Sequence, residues 1–158
     1  MEYKFQGKRF EEFEIGEEYT TSARTITEAD IVTFAGLSGD FNPLHTNEEF
    51  AKNTPIKGRI AHGMLTASIA TGLANQSRIF EGTTIAVLSM TFRYTGIVRP
   101  GDTIKLVFSP KEKKESSKPG RGIITFDIKV INQMGEEVIN GEWVVMMVKG
   151  CEKNLNNV

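Results

Sequence analysis

The chain has one cysteine, Cys151, in 158 residues. One thiol closes no internal disulfide and supplies no multi-cysteine metal centre. Cys151 stands beside Glu152 and Lys153 with no histidine near it in sequence, so it is expected to be a bystander rather than a nucleophile. Histidine is nearly as scarce, with only His45 and His62. Two imidazoles without an HExxH-like spacing are weak evidence for a metal centre, and none is expected. An excess of one charge is missing too. The 19 Lys and Arg residues face 20 Asp and Glu, for a formal net charge of -1, so no global field recruits nucleic acid or an acidic membrane. No apolar stretch approaches the roughly 20 residues that a membrane-spanning helix needs. The Met1–Phe5 segment lacks the apolar core of a signal peptide. A cytoplasmic chain with no nucleic-acid or membrane partner is therefore expected. There is no internal repeat, and the length suits one domain over residues 1–158.

Residues 1–16 mix aromatics with acids, as suits a lead-in segment laid over a domain. Glu18–Arg24, rich in Tyr and Thr, reads as a first strand. Thr27-Glu28-Ala29-Asp30 resembles a capping box, and Ile31, Phe34 and Ala35 follow at helical spacing. Asn47 is placed to cap a short helix over Glu48–Ala51, after which Pro55 and Gly58 break the chain. From Gly63 to Ser77 no residue is charged. That stretch predicts an interior helix, running as far as Phe80.

After Gly82 the apolar period falls to two. Leu88, Met90, Phe92 and Tyr94 mark a half-buried strand, and Ile104, Leu106 and Phe108 mark the next, after a turn at Val98–Asp102. Ile124, Phe126, Ile128 and Val130 mark a third, followed by a hairpin connection at Asn132–Glu136. Val138–Val148, apolar on both faces around Trp143, reads as a central strand covered on two sides. The charged run Lys111–Arg121 reads as a solvated hairpin end. The sum is an α+β domain, an antiparallel sheet curved around one long helix.

The chemistry concentrates in Ser38-Gly39-Asp40-Phe41-Asn42-Pro43-Leu44-His45 and in Ile60-Ala61-His62-Gly63-Met64-Leu65. Asn42 precedes a proline and is pushed to extended geometry, which puts Asp40 and His45 on a folded loop. A carboxylate and an imidazole facing one small volume can share a water molecule, as hydration or dehydration beside a carbonyl requires. The Gly63 N–H, opening a helix, can meet negative charge on a carbonyl oxygen. Each residue alone has a bland reading: Asp40 as turn chemistry, His45 as a hydrogen-bonded loop histidine, and His62 as a residue orienting the turn. Their joint occurrence with Asn42 favours the functional one.

The runs SGDFNPLH and GRIAHGML resemble the hydratase motif of the MaoC-like family, the (R)-specific enoyl-CoA hydratases. The likeness extends from Phe13-Glu14-Ile15-Gly16 to the strand around Trp143. A small departure is Asn47, where relatives often carry Asp; both cap helices. The resemblance implies a hot-dog fold that pairs as a homodimer, and reversible syn hydration of a trans-2-enoyl thioester to a (3R)-3-hydroxyacyl thioester. It implies Asp40, His45 and Gly63 as catalytic residues. Asn42, His62, Phe41 and Leu65 would lie on the substrate side, with Ile69 a further candidate for the acyl pocket. No cofactor is expected, since coenzyme A arrives as part of the substrate. Alternatives are an acyl-carrier-protein dehydratase, a hydratase for branched or dicarboxylic acyl-CoA, a thioesterase, and a non-catalytic acyl-CoA-binding module.

Overall fold

A core of alternating apolar residues from three long strands carries the molecule. In β5 (Arg121–Asn132) Ile124, Phe126, Ile128 and Val130 are at most 1% exposed, and between them Thr125, Asp127 and Lys129 point outward. β4 (Thr103–Glu115) and β6 (Glu137–Val148) flank it, and β3 (Thr84–Tyr94) pairs with β6. Two short strands, β1 (Tyr19–Thr20) and β2 (Arg24–Thr25), both pair with β4. The sheet is antiparallel throughout, in the order β1-β4-β5-β6-β3. This computed structural model describes residues 6–150, so Cys151 and the Met1–Phe5 segment lie outside them.

Among the described residues a 3-10 turn at Phe10–Glu12 and four α-helices complete it: α1 (Glu28–Ser38), α2 (Pro43–Thr46), α3 (Glu48–Lys52) and α4 (Gly63–Gln76). α4 is rich in Gly, Thr and Ser, and a helical Gly costs about 1 kcal/mol against Ala. Burial decides in its favour. Leu65, Ile69 and Leu73 sit in the core with strand residues such as Leu106 and Trp143, each worth about 1.5–3 kcal/mol on removal from water. Ala67, Ala70 and Ala74 are 1% exposed or less, which lets the helix lie close to the sheet. Among the described residues no helix is long and apolar enough to cross a membrane.

Several expectations needed correction. The first strand is split, because its register to β4 shifts between Thr20↔Val107 and Arg24↔Ile104. Thr21 in the gap uses its hydroxyl to accept the Leu106 N–H at 3.0 Å. α4 stops at Gln76 rather than Phe80. Arg78 turns into the left-handed region at φ 63°, and Phe80 swings into an aromatic cluster with Phe13, Phe108 and Phe126, ring centroids 5.5–6.1 Å away. By contrast, the charged run is the solvated hairpin end expected: β4 continues to Glu115, residues 116–120 form the turn, and no residue of the run is buried.

β6 is central but half-covered on one face, with Val144, Met146 and Val148 only partly buried. β3 is an edge whose alternation is broken by a register shift between Val87 and Ser89. Met90 and Phe92 reach the core; Leu88 and Tyr94 do not, at 47% and 48% exposed.

The capping box on α1 forms. The Thr27 hydroxyl accepts the Asp30 N–H at 3.2 Å, and the Asp30 carboxylate accepts the Thr27 N–H at 2.8 Å. Burial pushes the Asp30 carboxyl up, but the Thr27 amide and hydroxyl and the Arg24 guanidinium outweigh it and hold the group below its ordinary 3.8. A depressed carboxyl contributes stability that is complete above its unfolded value and lost as pH falls through the folded one. Asp30→Ala should therefore cost on the order of 1 kcal/mol at pH 7. In urea titrations taken to progressively lower pH, the gap from the parent should close as the acid protonates.

Candidate active site

α1 ends on Gly39, whose φ of 77° is the left-handed cap conformation and whose N–H donates to Ala35 O at 2.9 Å. The chain therefore reverses at once into Asp40. The Asp40 N–H donates to Ser38 Oγ, and the Asp40 carboxylate accepts the Asn42 N–H, both at 3.2 Å. Asn42 is extended, with ψ 132°, as its proline demands. The segment is not an open loop, however. Pro43 starts a one-turn helix, α2, because proline is pre-set for the first helical position. The Asn42 side-chain oxygen caps that helix by accepting the Leu44 N–H at 3.0 Å. His45 thus stands on a short helix, two turns of chain from Asp40.

His45 and His62 are each tied to a main-chain carbonyl. His45 Nδ1–H donates to Ile60 O at 2.8 Å, and His62 Nε2–H donates to Asp40 O at 2.9 Å. A carbonyl only accepts, so those nitrogens carry the hydrogens, leaving His45 Nε2 and His62 Nδ1 as acceptors in the neutral rings. The two rings stack with centroids 3.8 Å apart and 30° between planes. One polar atom each from Asp40, His45 and His62 lies within 4.8 Å of the others. A water making hydrogen bonds of about 2.8 Å to two of them spans that separation. These residue types also bind metals, but two of the four ring nitrogens are already committed to carbonyls.

These groups open onto a cavity of about 440 Å³. Asp40, His45, His62 and Gly63 all line it; Asn42 stands outside its wall and acts through the α2 cap. Phe41 and Leu65 also stand apart from it. Phe41 is 61% exposed, and Leu65, at 6%, points with Ile69 into the core between α4 and the sheet. The apolar wall comes instead from Phe34 on α1, Ile97 and Val98 after β3, and Val138 and Ile139 at the start of β6. Those residues carry no motif, and their sequence separation hides them. A second groove of about 540 Å³ lies across β3, β5 and β6, but its Asp127 and Glu142 both pair with Lys111, its Glu137 pairs with Lys129, and no histidine lines it.

The loop bearing Ile60 is clamped from outside. Arg59 bridges Glu28 and Glu48, and these carboxylates, Glu28 first, hold its guanidinium above the ordinary value. Arg99 donates to Ile56 O at 2.5 Å and to Arg59 O at 3.4 Å.

Comparison with known proteins shows the family and the fold. The family model described as MaoC like domain matches residues 10–131. An (R)-specific enoyl-CoA hydratase of Rhodospirillum rubrum is 34% identical over 87% of this chain and 90% of its own. A 3-hydroxybutyryl-CoA dehydratase of Methylorubrum extorquens is 30% identical over 89% of this chain and 84% of its own. A solved structure from Archaeoglobus fulgidus, described as a monoamine oxidase regulatory protein, superposes with a TM-score of 0.85 at 37% identity, covering 92% of this chain and 97% of that one. A Mycobacterium tuberculosis protein with a double hot-dog fold superposes at 0.79 with 18% identity, over 94% of this chain and 46% of that longer one. The fold is the hot-dog.

Gly63 is packed against Tyr94: a β-carbon there would lie 2.7 Å from Tyr94 Cε1. Gly63→Ala should lower stability by about 1–3 kcal/mol through overpacking. Added to Tyr94→Ala it should cost almost nothing, a coupling read from thermal or urea unfolding of the double-mutant cycle.

Proposed function

The chain belongs to the MaoC-like dehydratase family, and from that premise we propose that it is an (R)-specific enoyl-CoA hydratase acting in the cytoplasm on a coenzyme A thioester. What supports this reading is that Asp40, His45, whose Nδ1–H is taken by Ile60 O, and Gly63, the first residue of α4, all line one cavity. The relatives named above are a hydratase and a dehydratase of acyl-CoA, which are the two directions of one reversible reaction.

A water in the cavity donates one hydrogen to Asp40 and the other to His45 Nε2, which turns its oxygen lone pair toward the β-carbon of a trans-2-enoyl thioester. The O–Cβ bond forms as the π pair moves onto the α-carbon and the carbonyl oxygen. That oxygen accepts from the Gly63 N–H at the positive end of α4. His45 Nδ1–H is committed to Ile60 O, so the proton that reaches the α-carbon originates in the water. It passes through Asp40 or His45 and arrives on the face where oxygen was added. The product is the 3-hydroxyacyl thioester, and running the steps backward is dehydration. The chemistry calls on no cofactor beyond the coenzyme A of the substrate. The apolar wall of Phe34, Ile97, Val98, Val138 and Ile139 would receive the acyl chain.

A homodimer follows from the edge. β3 has one strand neighbour among the described residues, and its Ile85, Val87 and Leu88 are 36–50% exposed. A long apolar edge is a pairing surface, and we assign it to a second copy of the chain.

Asp40→Asn and His45→Gln should each reduce crotonyl-CoA hydration, followed by loss of the conjugated-thioester absorbance, by about 10²- to 10⁴-fold. The melting temperature should stay close to the parent's. Parent-like turnover in either variant removes the assignment. For the dimer, light scattering on the parent should give twice the chain mass, and Val87→Lys should shift it toward the monomer.

A further inference from the structure

His62 is a titratable group lining the cavity that the proposed reaction does not use. It is 2% exposed. Its Nε2–H is spent on the Asp40 carbonyl at 2.9 Å, and its Nδ1 is buried with no hydrogen-bond partner. Its ring faces His45 at 3.8 Å on one side, and the Phe34 ring lies 5.0 Å from it. A buried imidazole with one nitrogen left unpaired forfeits stability. A phenylalanine would fill the same space without that cost, so the polar ring calls for a reason.

We propose, resting on the hydratase reading above, that His62 is a positioning residue that sets the gap between Asp40 and His45. One ring touches both partners. Its hydrogen bond fixes the Asp40 main chain, from which the carboxylate hangs, and its face fixes the plane of His45. Asp40 and His45 sit five residues apart with a turn and a helix start between them, and the hydrogen bonds along that stretch join neighbours and cap α2. None of these joins the Asp40 and His45 side chains directly. His62 also begins α4 at ψ 138°, one residue before the Gly63 amide. A single residue thereby registers acid, base and oxyanion donor against each other. When His45 takes the water proton, its positive charge forms over the uncharged π face of His62, an attraction that a saturated side chain lacks.

The two contacts separate by substitution. His62→Gln retains an N–H that can reach the Asp40 carbonyl and removes the ring; His62→Phe retains the ring and removes the donor; His62→Ala removes both. Crotonyl-CoA hydration is measured on the full-length chain, with Asp40→Asn alongside and thermal melts of every variant. His62→Ala should lose about 10²-fold in kcat, the usual penalty of a misplaced catalytic group, with KM little changed because the acyl wall is untouched. Gln and Phe should each recover part of the loss. Because Phe preserves the buried volume, it keeps the test valid if the Ala variant fails to fold. Parent-like kcat in the His62 variants, a loss confined to KM, or Phe and Gln variants that fold but are no better than an equally folded Ala variant each overturn the proposal. Retained turnover in Asp40→Asn instead overturns the hydratase reading beneath it. A readout free of activity is the ¹⁵N spectrum of the imidazoles, which should show His62 with hydrogen on Nε2 and none on Nδ1; the opposite tautomer overturns the proposal.

Discussion

The site rests on two hydrogen bonds from imidazole rings to main-chain carbonyls, His45 Nδ1–H to Ile60 O at 2.8 Å and His62 Nε2–H to Asp40 O at 2.9 Å. They cross-link three pieces of chain: the turn after α1, the helix α2, and the loop that leads into α4. Because a carbonyl has no hydrogen to give, the bonds also choose a tautomer for each ring. His45 is left with a bare Nε2 at the cavity, which is what a proton acceptor from water requires. Position and protonation are thus settled by the same contacts.

Those carbonyls must themselves be held. Ile60 lies at the end of a segment in which Lys57 has φ 61° and Gly58 φ 141°, a conformation that a free loop would leave. Arg59 pairs with Glu28 and Glu48, whose side chains are 50% and 56% exposed. Exposed pairs of that kind are worth about 0–1 kcal/mol each, too little to hold the segment alone. Arg99 adds donor bonds to Ile56 O and Arg59 O from a partly buried guanidinium, and Ala61 N–H donates to Val98 O at 2.8 Å. The strand connection after β3 therefore carries the loop, while the surface ion pairs trim it.

Much of this was legible in the residues. The period-two runs of β4 and β5 located the buried face, since Ile104, Leu106 and Phe108 and Ile124, Phe126, Ile128 and Val130 are all at most 1% exposed. Thr27 with Asp30, and Asn47 before Glu48, foretold two helix starts from side-chain chemistry alone. The motif spacing also named Asp40, His45, His62 and Gly63, which line the cavity. What escaped was whatever another part of the chain decides. α4 ends early because Phe80 is claimed by Phe13 and Phe126, residues far away in sequence. The cavity wall joins residues 34, 97, 98, 138 and 139, and no window along the chain spans them. Leu65 and Phe41 looked like acyl contacts because they adjoin the motif, yet helical geometry turns Leu65 toward the sheet and leaves Phe41 outside.

Helical phase explains why the site can coexist with a tight core. Gly63 lines the cavity while Leu65, two residues on, packs against the sheet, and Thr66, three residues on, returns to the cavity. The first turn of α4 thus serves both sides at once. No side chain caps its N-terminus, which under the proposed mechanism leaves that place to a substrate oxygen. An N-cap Ser or Asp at position 62 would occupy that place for stability. His62 instead extends its ring away to Asp40 and leaves the amide end open. The helix gives up a cap worth about 1 kcal/mol, and in exchange the N-terminus that the proposed mechanism uses is left unblocked by a side chain.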